Sequence, residues 1–350
     1  MNTDAVLDTV LDSGYLPHAV IRMGIRRQFA QRLAEISSPF PSLALERKMA
    51  FVEELRDRPI AIETAAANKQ HYEVGTGIMQ AQLGKHLKYS CSRFPTGRET
   101  VSEAEEITLA EYAEKMTIED GMTILDIGCG WGSAVLYFAA KFPNSRVVGF
   151  SNSKTQKVYI DDTAKERGLE NVEVITGDAA DYEFEHGVFD RVISVEMMEH
   201  VKNYEALLAK VARAMKPGGR FFVQVFCHKD TPYHFEEGWM TRTFFTGGTM
   251  PSSDLLLYFQ KDLNVVNHWW INGRHYSQTL ESWYTNMKKN KAQAWPHLVA
   301  TYGEENAYAW WQRWQIFCMA CSEMFAYGGG EVWGVMHCLF EKPATPSKGL

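Results

Sequence analysis

The first sixty residues carry the apolar pattern of α-helices. Apolar side chains recur there at steps of three and four residues, the spacing of one helical face; they are Leu7, Val10, Leu11, Ile21, Ile25, Phe29 and Leu33. A proline-containing stretch, SSPFPS at 37–42, interrupts the pattern. The sequence therefore predicts an N-terminal helical segment over residues 1–64. Four arginines in it are expected on a solvated or partner-facing helix surface: Arg22, Arg26, Arg27 and Arg32.

From Ile124 onward, short apolar runs alternate with helical stretches. This alternation predicts a parallel sheet with helices on both faces, a doubly wound α/β fold. A first strand begins at Ile124, and four more are predicted at 146–150, 172–176, 189–195 and 220–226. A polar cluster follows each strand, at the edge where such sheets bind ligands. An aromatic-rich helix, Trp310–Phe325, and a late strand, Glu331–Phe340, complete the pattern.

Residues 229–310 break the alternation and are rich in aromatic side chains. We predict an inserted cap over the sheet edge, because apolar walls with a few polar groups suit a small-molecule pocket. The α/β domain and its N-terminal cover are then expected to comprise residues 65–228 and 311–342. A polar tail, residues 343–350, is expected to be disordered.

Composition narrows the classes of partner. The chain has 350 residues and a formal net charge of −7 without a long basic run, so nucleic acid is not an expected partner. The sequence contains no run of about 20 apolar residues and no signal-peptide pattern, so we expect a cytoplasmic protein without stable membrane insertion. The six cysteines lie mostly in apolar runs, which is typical of buried reduced thiols. Cys318 and Cys321 have metal-ligand spacing, but no second pair follows, so no metal is predicted.

A glycine turn follows the first predicted strand, in the sequence ILDIGCGWG at 124–132. Alternating glycines let the backbone bend sharply and keep Cβ atoms away from a ligand beside the loop. The spacing is G-x-G-x-G with an acid before it, rather than the dinucleotide fingerprint. This variant resembles motif I of class I S-adenosylmethionine (SAM) methyltransferases, which have a Rossmann-like sheet.

The resemblance implies a SAM site with separate groups for each part of the cofactor. Asp126, Gly128 and Gly130 would lie beside the methionine part. Further candidates follow the later strands or precede the domain: Ser90, Asn152, Gln156, Asp178, Ala179 and Val195. The neutral Asn152 and Gln156 could bond the ribose or the amino-acid end, and Asp178 with Ala179 is placed for the adenine. Asn152 is also positioned to cap the next helix.

Glu196, Glu199 and His200 follow the fourth predicted strand. Two acids three residues apart, with a histidine next to the second, form a compact proton-handling cluster, although a solvent-exposed loop can have the same composition. If this cluster is catalytic, the reaction rate is expected to rise with pH until a group with a pKa near that of histidine has lost its proton.

Longer motifs resemble the coclaurine N-methyltransferase group, within the cyclopropane-fatty-acid-synthase-like superfamily. The resemblance runs from about Gln70 to Lys342 and includes KYSCSRF at 88–94, SNSKTQK at 151–157, VEMMEHVKNYE at 195–205 and ACSEMFAYGGGEVW at 320–333. HYEVG at 71–75 resembles the segment that precedes the cofactor domain in the cyclopropane-fatty-acid synthases and their relatives. It implies transfer of a methyl group from SAM to the nitrogen of a small alkaloid-type or aralkyl amine, with a homodimer as a plausible assembly. Glu199 and His200 stand at the family's catalytic pair, and Glu196 at its upstream glutamate.

The rival resemblance is to the cyclopropane synthases themselves, which act on lipids. Those enzymes use bicarbonate as a base, held by a Cys, a Glu, a His and a Tyr. Cys91 and Glu199 fall on the first two positions, whereas Gln224 and Phe317 fall on the others. This departure favours an amine acceptor over a lipid alkene. A catalytically silent SAM-binding protein is the third alternative, and the intact Glu-Glu-His cluster argues against it.

Overall fold

The computed structural model describes residues 3–60 and 75–344, with the side chains of the first helix described from residue 6. Three helices begin the chain: α1 (Thr3–Asp12), α2 (His18–Ile36) and α3 (Pro41–Arg56). Helix α2 is held to the body of the protein by Ile21 and Ile25, which pack with Ile316, Met319 and Ala320. The predicted N-terminal helices are therefore present. Residues 61–64 of that segment, residues 71–74 of the HYEVG motif and residues 345–350 of the tail lie outside the described residues.

Two of the predicted surface arginines form ion pairs with the body of the protein, and Arg22 is half-buried by them. Arg22 donates to Glu281 and to Glu323, at 2.7 and 2.9 Å, and Arg26 donates to Glu323 at 2.5 Å. Since Glu323 is buried, these ion pairs fasten α2 to the helices that carry the two glutamates. The prediction of a solvated surface was wrong for Arg22, because its partners lie about 260–300 residues away in sequence. Arg26 remains exposed.

A seven-stranded sheet forms the centre of the molecule. Its strands are β1 (Thr123–Ile127), β2 (Arg146–Ser151), β3 (Val172–Thr176), β4 (Phe189–Val195), β5 (Met215–His228), β8 (Asn264–Ile271) and β9 (Trp333–Glu341), in the order β3-β2-β1-β4-β5-β9-β8. The first five are parallel, whereas β9 is antiparallel to both its neighbours. A separate two-stranded sheet pairs β6 (Tyr233–His234) with β7 (Thr249–Met250). The predicted doubly wound α/β sheet is confirmed.

Within residues 75–344, nine further helices surround the sheet or extend from it. They are α4 (Thr76–Gln82), α5 (Val101–Met116), α6 (Ser133–Lys141), α7 (Lys154–Glu166), α8 (Tyr204–Ala214), α9 (Trp239–Thr243), α10 (Arg274–Lys289), α11 (Lys291–Tyr302) and α12 (Glu304–Ala326). Alternate residues of a strand face opposite sides of the sheet, so each face has its own core. Ile124 and Ile193 pack with α5 to α7 on one face, and Leu125 and Val192 pack with α8 on the other.

The stretch predicted as a cap contains one strand of the main sheet. Strand β8 pairs with β9, with Trp270 opposite Met336 and Ile271 opposite Val335. The prediction that all of 229–310 lies outside the sheet was therefore wrong for residues 264–271. The aromatic residues of β8 resemble those of the rest of the cap, and its partner β9 lies more than sixty residues later in the chain. Local pattern therefore could not reveal the pairing. The remaining aromatics do form a shared core, which joins α10, α11 and α12 around Trp283, Trp311 and Trp314.

The described helices include none that is long and apolar enough to cross a membrane. All six cysteines are free thiols, and five of them are buried. Burial raises the pKa of the Cys318 thiol well above its ordinary value and that of Cys321 to about 12. Both belong to the apolar core around α12, as the surrounding aromatic sequence indicated.

Candidate active site

The glycine turn after β1 is the centre of the site. Gly128, Gly130 and Gly132 have φ of +84°, +53° and +78°, in the left-handed region that favours glycine. A Cβ at Gly128 would lie 2.9 Å from Met197 Cγ, whereas a Cβ at Gly130 would meet no atom within 4 Å. The N–H groups of Gly128 and Cys129 both donate to the Phe150 carbonyl, at 2.9 and 3.0 Å, which fixes the turn against the end of β2.

Two cavities meet at this turn. The first cavity brings together nine of the predicted site residues: Ser90, Asp126, Gly128, Gly130, Gln156, Val195, Glu196, Glu199 and His200. The second contains the remaining three, Asn152, Asp178 and Ala179. Gly128, Gly130, Gln156 and His200 line both. The structure thus gathers all twelve predicted residues around two adjoining cavities at the carboxyl edge of the sheet.

The second cavity lies over the ends of β2 and β3. Asn152 is exposed there, and Phe150 and Ile60 add apolar lining. Asp178 accepts a 2.8 Å hydrogen bond from the Ala180 N–H. Ser153 caps α7 by accepting from the Gln156 N–H, so the alternative that Asn152 is the helix cap was wrong. Gln156 is buried, and its Oε1 accepts from Ser151 Oγ at 2.7 Å.

Asp126 is a buried carboxylate at the floor of the first cavity. Among the described residues, its Oδ1 has no hydrogen-bond partner. Burial raises the pKa of this carboxyl to about 7. A buried acid without a donor is costly unless a cation or hydrogen-bond donor reaches it. Asp126 is therefore suited to a positively charged ligand group.

Glu196 is the most firmly held acid of the cluster. Its Oε1 accepts from the Cys91 N–H and from Gln224 Nε2, each at 2.9 Å, and its Oε2 accepts from the Tyr276 hydroxyl. Burial raises the Glu196 pKa, and the ammonium of the buried Lys88 acts in the opposite direction. The same Lys88 donates to Ser90 Oγ at 2.6 Å within the predicted cover segment, and the Cys91 N–H links that segment to the cluster.

Glu199 and His200 form one turn of 3₁₀-helix directly after Glu196. Glu199 is buried, and its Oε2 lacks a hydrogen-bond partner among the described residues. Burial, and secondarily the charge of Glu196, raises the Glu199 pKa well above its ordinary value. Burial lowers the pKa of His200 to about 4, with a smaller contribution from Lys202. This pKa lies below the ordinary histidine value that the expected rate limb assumed, because that expectation took no account of burial. The pH dependence of the rate remains a prediction.

The comparisons with known proteins agree with this geometry. The family model described as mycolic acid cyclopropane synthetase matches residues 61–335. (S)-coclaurine N-methyltransferase from Thalictrum flavum subsp. glaucum is 37% identical over 340 residues, 95% of this chain and 94% of that protein. A crystal structure of coclaurine N-methyltransferase bound to N-methylheliamine and SAH matches with a TM-score of 0.94 and 36% identity, covering 97% of this chain and 99% of that one.

The chain belongs to the coclaurine N-methyltransferase family. This N-methyltransferase is less similar to the lipid enzymes of the wider family. Cyclopropane-fatty-acyl-phospholipid synthase of Escherichia coli strain K12 is 30% identical over 270 residues, 77% of this chain and 66% of that protein. The cyclopropane synthase MmaA2 of Mycobacterium tuberculosis, at 20% identity and a TM-score of 0.69, shares the fold.

Further residues line the first cavity beyond the twelve that the sequence predicted for the site. Aromatic residues line the first cavity together with the acids: Tyr89, Trp131, Phe226, Phe245, Tyr276, Trp283 and Phe317. Tyr89 stacks on Trp283 with ring centroids 5.3 Å apart, and Phe245 stacks on Phe317 at 5.8 Å. They come from at least five separate parts of the chain. Their abundance was visible in the sequence, but which of them would face the cavity was not.

Proposed function

We propose that this enzyme transfers the methyl group of SAM to the nitrogen of a small alkaloid-type or aralkyl amine. The observation that carries the proposal is the joint cavity, in which the glycine turn lies at the junction and the Glu196–Glu199–His200 cluster faces aromatic walls. The family relationship supports the same activity.

The residues around the turn fit SAM. The Asp126 Oδ1, which has no partner among the described residues, would bind the ammonium of the amino-acid end of SAM. The open space beside Gly130, where a Cβ would meet no atom within 4 Å, would receive the part of the cofactor that lies against the turn. Asn152 and Asp178 in the second cavity would bind the ribose and adenine, with Ser90, Gln156 and Val195 completing the lining between. When bound, this cofactor supplies an electrophilic methyl group on a positively charged sulfur.

The acid cluster would bind and deprotonate the acceptor. Most aliphatic amines are protonated near neutral pH, and an ammonium has no lone pair for attack. The carboxylates of Glu196 and Glu199 attract the cation, and the aromatic walls add cation–π attraction of about 1 kcal/mol per ring. Glu199 is better suited than His200 to take the proton, because its pKa is raised whereas that of His200 is lowered to about 4. The uncharged His200 then accepts a hydrogen bond and holds the nitrogen in place.

Methyl incorporation from labelled SAM tests this function. A panel of benzylisoquinoline and phenylalkyl amines is compared with phospholipid vesicles that contain unsaturated acyl chains. We expect label on the amine nitrogen and none in the acyl chains. Label in the lipid alone would favour a cyclopropane-synthase activity, and SAM binding without transfer to any acceptor would indicate a silent SAM-binding protein.

Two further expectations concern the whole molecule. A homodimer and a cytoplasmic location, without nucleic-acid partners, remain predictions. Large apolar side chains are exposed on or beside the N-terminal helices, including Tyr15, Met23 and Phe40, and they support self-association. Light scattering of the purified protein at several concentrations would report a mass of about twice 39.9 kDa if the dimer forms.

A further inference from the structure

Gln224 lies behind the acid cluster, buried in the middle of β5. Its side chain connects three separate elements. Its Nε2 donates to Glu196 Oε1 at 2.9 Å, while its Oε1 accepts from the Tyr112 hydroxyl of α5 at 2.6 Å and bonds His337 Nε2 of β9 at 2.9 Å. The Gln224 amide therefore contacts the acid cluster through its nitrogen and the protein core through its oxygen.

The orientation of the Gln224 amide is fixed by these contacts. The Nδ1 of His337 lies 2.7 Å from Lys115 Nζ, an ammonium that can only donate, so Nδ1 must accept and the ring proton must lie on Nε2. His337 Nε2 and the Tyr112 hydroxyl are thus both donors to Gln224 Oε1. A flipped amide would place its NH₂ group against both donors. The amide nitrogen consequently faces Glu196 in a single arrangement.

Glu196 requires such support. Its φ of +49° is in the left-handed region, where a residue with a side chain is strained and persists only when its surroundings hold it. The Glu196 N–H donates to the Gln224 carbonyl at 2.8 Å. One residue thus holds both the strained backbone and the carboxylate of Glu196.

We propose that Gln224 is a positioning residue of methyl transfer, which aims the Glu196 carboxylate at the acceptor amine while Tyr112 and His337 fix its amide. The inference rests on the proposed function, in which Glu196 faces the amine. Gln224→Met removes the donor and leaves a side chain of similar size. A displacement of a reacting group by about 1 Å costs up to about 100-fold in rate. We therefore expect kcat to fall about 10- to 100-fold, with the KM for SAM nearly unchanged.

A matched control separates this effect from general disturbance of the core. Gln315 is also buried, and its Nε2 donates to the Trp311 carbonyl within its own helix, α12. Gln315→Met removes a buried glutamine of the same kind without contact to Glu196. We expect this variant to keep the wild-type kcat. Equal losses of kcat in the two variants would overturn the proposal.

A double-mutant cycle tests whether Gln224 acts through Glu196. Gln224→Met is measured in the wild type and in the Glu196→Gln background. If Gln224 positions the Glu196 carboxylate, its loss should change kcat by less than about twofold once that carboxylate is gone. The same fold-loss in both backgrounds would overturn the inference. A wild type that methylates no amine would instead overturn the proposed function.

Gln224→Glu provides a second test if the methionine variant does not fold. It keeps an acceptor for Tyr112 and His337 but places a second carboxyl beside Glu196. At low pH the introduced carboxyl is protonated and can still donate to Glu196. As pH rises it loses that proton and repels the Glu196 carboxylate, so kcat relative to wild type should fall. The other charged or titratable groups that influence Glu196 are wild type in both proteins; they are Lys88, Cys91, Tyr112, Glu199, Tyr276 and Cys321. A kcat ratio independent of pH would overturn the proposal.

Discussion

The backbone N–H of Cys91 donates a 2.9 Å hydrogen bond to the carboxylate of Glu196, across 105 residues of sequence. This bond ties the segment in front of the α/β domain to the loop after β4. The Glu196 carboxylate, which lines the first cavity, therefore also holds the preceding segment of the chain in place. Loss of Glu196 should affect both stability and turnover.

Glu196→Ala leaves the Cys91 N–H, Gln224 Nε2 and the Tyr276 hydroxyl without their shared acceptor. Loss of a buried hydrogen bond to a charged group costs about 1.5–3 kcal/mol. We expect the free energy of unfolding in urea to fall by about 2 kcal/mol, and kcat to fall as well. Glu114→Ala, the same substitution at an exposed position of α5, is a suitable stability control. An unchanged free energy of unfolding would contradict the conclusion that Glu196 holds the segment around Cys91 to the loop after β4.

Asp126→Asn should weaken SAM binding at least about tenfold, because the amide cannot form an ion pair with the cofactor's ammonium. The wild-type affinity should depend on pH with a defined sign. The Asp126 pKa of about 7 means that the carboxyl is charged above pH 7 and becomes protonated below it. Calorimetry should therefore show affinity lost as pH falls from about 7.5 to 5.5 in the wild type but not in Asp126→Asn. The same pH dependence of SAM affinity in both proteins would show that the cofactor's ammonium does not bind Asp126.

Gly128→Val should abolish SAM binding. The added side chain would meet Met197 and would fill the space beside the turn, at a backbone φ that valine rarely adopts. Gly168→Val is the matched control, because Gly168 has a φ of +68° and no atom within 4 Å of its ideal Cβ. It is expected to reproduce the backbone strain and leave SAM binding intact. Undiminished SAM affinity in Gly128→Val would show that the turn is not the cofactor site.

His200→Asn should remove most turnover while SAM affinity stays nearly unchanged, because the imidazole acts on the acceptor.

His200→Asn should also alter the pH dependence of the free energy of unfolding. The His200 pKa is about 4 in the folded protein, below the ordinary value of 6.5, so the unfolded chain binds the extra proton first. Wild-type stability is therefore lost as pH falls from about 6.5 to 4, and His200→Asn should lose less over that interval. Identical urea-unfolding profiles between these pH values would refute a buried neutral His200.

Much of the site was accessible from sequence because it follows local pattern. The acid and glycines of the turn, the residues after β2 and β3, and the Glu-Glu-His cluster all sit at strand ends, and parallel strands bring their carboxyl ends to one edge. The order of the seven strands in the sheet could not be predicted from local pattern alone. β8 joins the sheet through β9, more than sixty residues later in the chain, and no local signal identifies that partner.

The electrostatics of the cluster could not be predicted in this way. The lowered pKa of His200 and the raised pKa of Glu199 arise from burial, which depends on how distant segments close over the loop. Likewise, Gln224 was visible only as a departure from the synthase pattern. Its role emerges from contacts with Tyr112, Glu196 and His337, which lie up to 113 residues away.

A single-turnover measurement tests the central claim, that the acid cluster deprotonates an amine facing the methyl donor. Wild type and Glu199→Gln are saturated with labelled SAM and mixed at pH 7.5 with an amine from the panel that the wild type accepts. The account predicts N-methyl product from the wild type and a rate at least about 100-fold lower in Glu199→Gln, with the same SAM affinity. Equal single-turnover rates in the two proteins would contradict it.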